Sequence, residues 1–72
     1  MEQTLRAEMV ASVHSVVAQV GDAVVVGDTI VILESMKMEI PITAPEDGVV
    51  RDIRVAEGDP IAEGQVAVLL DI

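Results

Sequence analysis

The sequence predicts an all-β domain of seven or eight short strands in two facing antiparallel sheets. Three observations lead there. The chain repeats itself. Val20-Gly21-Asp22 and Glu57-Gly58-Asp59 share Gly-Asp at an offset of 37 residues (58 − 21). The same offset sets Ala7 on Ala44, Val13 on Val50, Val16 on Ile53, Val24 on Ile61, Gly27 on Gly64 and Ile32 on Leu69. Shared glycines and apolar positions over most of the chain predict two like halves about a pseudo-two-fold axis, each supplying part of both sheets. The apolar runs are rich in Val and Ile, whose branching at Cβ suits a pleated strand. They are short and bounded by Gly, Pro and Asp, and no stretch holds a helical i, i+3, i+4, i+7 stripe without a Gly interrupting it.

Taken in order, the half-repeats cover about 5–35 and 42–72, with a hairpin at 34–39 between them, and residues 1–72 form one domain. In each half an apolar run leads into Gly-Asp, then a second Gly, then another apolar run. Gly21 and Gly58 are expected at tight turns that need φ > 0, with Asp22 and Asp59 bonding nearby backbone amides. Gly27 and Gly64 make the second corner. Pro60, which stands where the first half has Ala23, stiffens its turn. Thr29 to Leu33 and Ile40 to Ile42 are the strands on either side of Glu34-Ser35-Met36-Lys37-Met38-Glu39. Val49 to Val55 and Val66 to Leu70 are strands of the second half. His14 falls on Arg51 under the repeat, which predicts an exposed strand face rather than a catalyst or ligand.

Composition narrows the function. A chain of 72 residues buries roughly 60% of its unfolded surface, so its stability margin is thin. It has no cysteine, hence neither disulfides nor thiolate metal ligands. With no Phe, Tyr or Trp, the core is aliphatic and bases have no aromatic face to stack on. The net charge of −9 repels phosphates, which argues against nucleic acid and anionic membranes as partners. No basic segment precedes an apolar one and no run of about 18 apolar residues occurs, so neither a signal peptide nor a membrane span is expected. The missing signal leads us to expect a cytoplasmic location, and the lack of a Pro/Ala/Ser-rich linker before Leu5 or after Ile72 a free-standing module. The carboxylates are scattered without metal-ligand spacing, and no nucleophile, base and oxyanion-hole set can be assembled. No metal and no catalytic residue are expected.

Attention therefore falls on the hairpin. Lys37 is the only lysine, and it sits where the two halves meet. A polar break between two apolar strands reads as a hairpin tip, which holds the amine out in water where another enzyme can acylate it. The hexapeptide has no Asn-Gly or Gly-Gly pair to fix the turn type. If the tip stays extended, Met36 and Met38 share the side opposite Lys37. Core filling would be an ordinary use of methionine. At a tip they are instead expected to be partly exposed, as adaptable contacts for a partner.

Val20-Gly21-Asp22, Gly27-Asp28, Leu33-Glu34-Ser35-Met36-Lys37-Met38-Glu39 and Glu57-Gly58-Asp59 together resemble the biotinyl domain of biotin-dependent carboxylases, and especially the free-standing biotinyl attachment proteins of bacteria. The resemblance implies a flattened β-barrel, or sandwich, of two four-stranded antiparallel sheets, the biotinyl/lipoyl hammerhead. It implies biotin in amide linkage to Lys37, with Met36 and Met38 beside it and Glu34, Ser35 and Glu39 as recognition positions. One departure is visible. The family often has Ala-Pro-x-x-Gly at the first strand, which the second half keeps as Ala44-Pro45-Glu46-Asp47-Gly48. The first half has Ala7-Glu8-Met9-Val10-Ala11, with Pro and Gly missing. The thumb loop of some biotinyl domains has no room here.

On this resemblance the domain is a biotin carrier that catalyses nothing itself. A biotin-protein ligase supplies biotinyl-adenylate. A lysine in water is mostly protonated at neutral pH, so the ligase site has to take the proton. The remaining partners implied are biotin carboxylase and carboxyltransferase subunits, between which the arm carries a carboxyl group. Two other functions fit the same fold. A lipoyl carrier would show Asp-Lys-Ala at the hairpin, where this chain has Met36-Lys37-Met38. An unmodified lipoyl-like interaction module, as in efflux adaptors, would need no lysine there.

Overall fold

In a computed structural model of residues 1–72, eight strands form, most of them on the Val- and Ile-rich runs. They are β1 (Glu2–Arg6), β2 (Ala11–Val16), β3 (Ala23–Val24), β4 (Thr29–Ser35), β5 (Met38–Thr43), β6 (Gly48–Ile53), β7 (Pro60–Ile61) and β8 (Val66–Asp71). All pairings are antiparallel, in two four-stranded sheets with orders β1-β8-β6-β3 and β5-β4-β2-β7. Adding 37 to β1, β2, β3 and β4 gives β5, β6, β7 and β8 to within one residue at an end, so each half places two strands in each sheet. No helix is present, so none is long and apolar enough to cross a membrane.

The core shows why the two sheets close. Its fourteen buried residues are seven pairs separated by 37 positions: Ala7/Ala44, Val13/Val50, Ala18/Val55, Val24/Ile61, Ile30/Ala67, Val31/Val68 and Leu33/Leu70. Each half contributes two Ala, three Val, one Ile and one Leu, though not in the same order. Ile30 faces inward where its mate is Ala67, and Val55 and Ile61 are larger than their mates Ala18 and Val24. Total volume is therefore equal between the halves while local shapes interlock, which is what dense aliphatic packing requires.

The halves are also laced through the backbone. Gly21 N–H donates to Val50 O and Gly58 N–H to Val13 O, both at 2.8 Å, so each half's first turn closes on a strand of the other. Gly27 and Gly64 N–H reach Ala44 O and Ala7 O in the same reciprocal way. All four glycines have φ between 83° and 95°, a region closed to most L-residues. Asp22 and Asp59 accept the backbone N–H three residues upstream, at 2.9 and 3.0 Å. His14 and Arg51 are mates too. Each is skipped by the register at a bulge in the central ladder of its sheet, and both are exposed.

The molecule measures 32 × 17 × 17 Å. Subtracting or adding 37 carries Met38 onto Met1 and Ser35 onto Ile72. The chain ends, which bond each other through Ile72 N–H to Met1 O at 2.8 Å, are thus the counterpart of the β4–β5 hairpin, at the other pole.

Candidate functional site

The tip of the β4–β5 hairpin is tighter than the sequence suggests. Register runs unbroken through Leu33↔Ile40, Glu34↔Glu39 and Ser35↔Met38, leaving only Met36 and Lys37 as loop. Glu34, Ser35, Met38 and Glu39 are strand residues. The turn residues have φ of 53° and 67° and are the only non-glycine residues at positive φ. Positive φ at both central positions of a two-residue hairpin marks a type I′ turn, whose twist matches the strands it joins. The tip is therefore not extended, and the expectation that Met36 and Met38 share a side opposite Lys37 does not hold. Lys37 follows Met36 around the bend, and Met38 starts the return strand.

Lys37 is exposed at the apex, and none of the three ion pairs includes it. Met36 is 92% exposed and Met38 63%, so neither fills the core. Ser35 is half-buried opposite Met38. Glu34 and Glu39 are both exposed and stand directly opposite each other, an arrangement of like charges that weakens a sheet. They lay negative charge beside the one ammonium of a side chain without pairing it. Ser12 on β2 reaches the Glu34 carbonyl at 3.5 Å, which ties the hairpin base to its neighbour.

What raises the tip is the long β4–β5 pair beneath it. Ile30, Val31 and Leu33 anchor β4 in the core, and Ile40 and Ile42 pack against it from β5. Pro41, opposite Ile32, lies on the edge strand, where a missing N–H is tolerated. The result is a rigid stem with a flexible four-carbon side chain at its end. No group of three or more His, Asp or Glu side chains that could hold a metal occurs.

Sequence reasoning missed the loop at Met9 and Val10. Both are large, apolar and exposed, at 38% and 73%. Met9 lines, with Leu33 and Ile40, a groove of about 430 Å³ between the facing edges of β1 and β5. The signal was available in the half-repeat, since these positions match Glu46 and Asp47.

Comparison with known proteins identifies the family of this fold. The model of a family described as biotin-requiring enzyme matches residues 3–70. The biotinylated protein TB7.3 homolog of Mycobacterium leprae is 46% identical over 70 residues, covering 97% of this chain and 99% of that protein. A biotin/lipoyl attachment protein of Bacillus subtilis is 41% identical over 88% of this chain and 86% of its own length. Among solved structures, urea carboxylase of Kluyveromyces lactis contains a region that superposes with a TM-score of 0.93 at 31% identity. The match covers 99% of this chain but 6% of that one. Family model, full-length relatives and superposition agree over nearly every residue: the chain belongs to the biotin-requiring enzyme family.

Proposed function

We propose that this protein is a biotin carrier, modified on Lys37 by a separate biotin-protein ligase and working in the cytoplasm with biotin carboxylase and carboxyltransferase subunits. The carrying observation is the tip itself. The only lysine of the chain stands at the apex of a two-residue turn, exposed and free of ion pairs, between two exposed methionines. An amine so placed can enter another protein's site without unfolding anything.

In the attachment step the Lys37 Nζ lone pair attacks the carbonyl carbon of biotinyl-adenylate. A C–N bond forms, the C–O bond to AMP breaks, and the amine proton passes to a base of the ligase. The carrier contributes position, and the ligase contributes activation. Bound biotin supplies a ureido ring that holds a carboxyl group. The work left to this chain is to keep the stem rigid, to hold the arm clear of its surface and to present Met36 and Met38 to whichever site the arm enters. The domain provides no catalytic group of its own.

The lipoyl reading shares this fold, and the Bacillus subtilis relative's name includes it. The Met-Lys-Met tip favours biotin. Intact-mass measurement after co-expression with a biotin ligase, and separately with a lipoyl ligase, decides. A single biotinyl adduct from the first and none from the second is expected. A lipoyl adduct would reverse the assignment, and no adduct from either would favour an unmodified interaction module.

A further inference from the structure

Residues 7–10 and 44–47 are symmetry mates, and their backbones behave alike. Ala7 and Ala44 are both buried. Ala7 N–H donates to Gln65 O at 3.0 Å, and Ala44 N–H to Asp28 O at 2.9 Å. Their side chains do not match. At the pole of the chain ends, Glu46 and Asp47 occupy the loop, and Asp47 Oδ1 accepts the Val26 N–H at 2.9 Å. At the Lys37 pole the same two positions are Met9 and Val10. Val10 has no acceptor to offer Glu63, the mate of Val26. The first half thus gives up a turn-closing hydrogen bond and exposes two large apolar side chains instead.

The fold does not require this, because the same turn closes on acidic residues at the other end. The location is specific. Ser12 stands opposite Glu34 and its hydroxyl reaches the Glu34 carbonyl, so the Met9-Val10 loop that leads into β2 sits at the hairpin's end of the sheet. Met9 shares its groove with Leu33 and Ile40. Met9, Val10, Met36 and Met38 are therefore the large exposed apolar residues gathered at this pole, among the exposed carboxylates of Glu8, Glu34 and Glu39. An apolar centre inside a charged rim is the anatomy of a protein interface.

We propose that the Met9-Val10 loop and the two tip methionines form one docking surface for the enzyme that acylates Lys37, seated on an apolar floor framed by Lys and Arg. This rests on the biotin reading above. Charge selects the occupant. Two copies at −9 each repel, whereas a basic rim is drawn to Glu8, Glu34 and Glu39.

The test exchanges the loop for its own mate, Met9→Glu with Val10→Asp, residues which the same backbone carries at the other pole. Initial rates of biotinylation by a purified biotin ligase are measured against carrier concentration. The KM for the carrier should rise roughly tenfold or more, as loss of apolar contacts does, with kcat within about twofold. The melting temperature should hold within a few degrees. A KM unchanged within about twofold overturns the proposal, since apolar contacts of this kind are worth more than that. A normal ligase KM with a raised KM at a purified biotin carboxylase would reassign the surface and also overturn it. So would a concentration-dependent dimer in sedimentation that the variant abolishes. If the double variant melts early, Val10→Thr, which keeps the shape, should still raise the ligase KM; no rise counts against the proposal. Wild-type protein that takes no label at all would sink the biotin reading itself, a different failure from a labelled but insensitive variant.

Discussion

Met36 and Lys37 hold a backbone conformation that Asn and Gly adopt far more readily. Left-handed geometry costs an L-residue about 1–2 kcal/mol, and a hairpin of this length would ordinarily carry Asn-Gly. The strain persists because the core holds the strands below it, and it lets a long amine and a soft apolar side chain share the apex. Replacing Met36 by Asn should relieve part of it, raising stability by about 0.5–1 kcal/mol. Thermal melting followed by far-UV circular dichroism checks this. A rise of a few degrees is expected, and an unchanged or lower midpoint would show that the turn is not strained. The turn's two positive φ values were not legible in the sequence, since neither residue signals one. The lysine's isolation was legible, because uniqueness in a chain is visible without coordinates.

Strand boundaries were harder to read than strand existence. Glu34, Ser35, Met38 and Glu39 read as part of the polar break, yet all four extend the β4–β5 ladder, and all but the half-buried Ser35 are exposed. The two-residue strands β3 and β7 carry too short a pattern to detect. The glycine that only the second half keeps does have a structural reason. A Cβ built on Gly48 would fall 2.6 Å from both Asp71 O and Ile72 Cγ2. Its mate in the first half is Ala11. Gly48→Ala should cost about 1–3 kcal/mol through overpacking against backbone, lowering the melting temperature by roughly 5–20 °C in a domain this small. The reverse change at the mate, Ala11→Gly, should cost no more than about 1 kcal/mol. Equal effects of the two would contradict the account of the close approach.

Across the whole molecule the pseudo-two-fold governs the interior and is abandoned on the surface. Every buried residue has a buried mate, while exposed Val17, Val20, Val25 and Val26 stand where the second half has Arg54, Glu57, Ala62 and Glu63. Interior positions are tied to each other by volume and by reciprocal turn bonds. Surface positions are not, and there the poles could diverge: one gathers the two chain ends, the other a single lysine among methionines. The repeat in the sequence exposed the first fact, because packing constrains both halves alike. It hid the second, because a symmetric reading assigns mates the same role.

The central claim is that this asymmetry makes the chain a carrier of one group at one pole. Peptide mapping by mass spectrometry, on wild type and Lys37→Arg each co-expressed with a biotin ligase, tests it most directly. Arg keeps the charge but cannot be acylated. The account predicts one biotinyl group per wild-type chain, on Lys37, and none on a variant that melts within a few degrees of wild type. Label retained by Lys37→Arg, or found elsewhere in the wild-type chain, would contradict it.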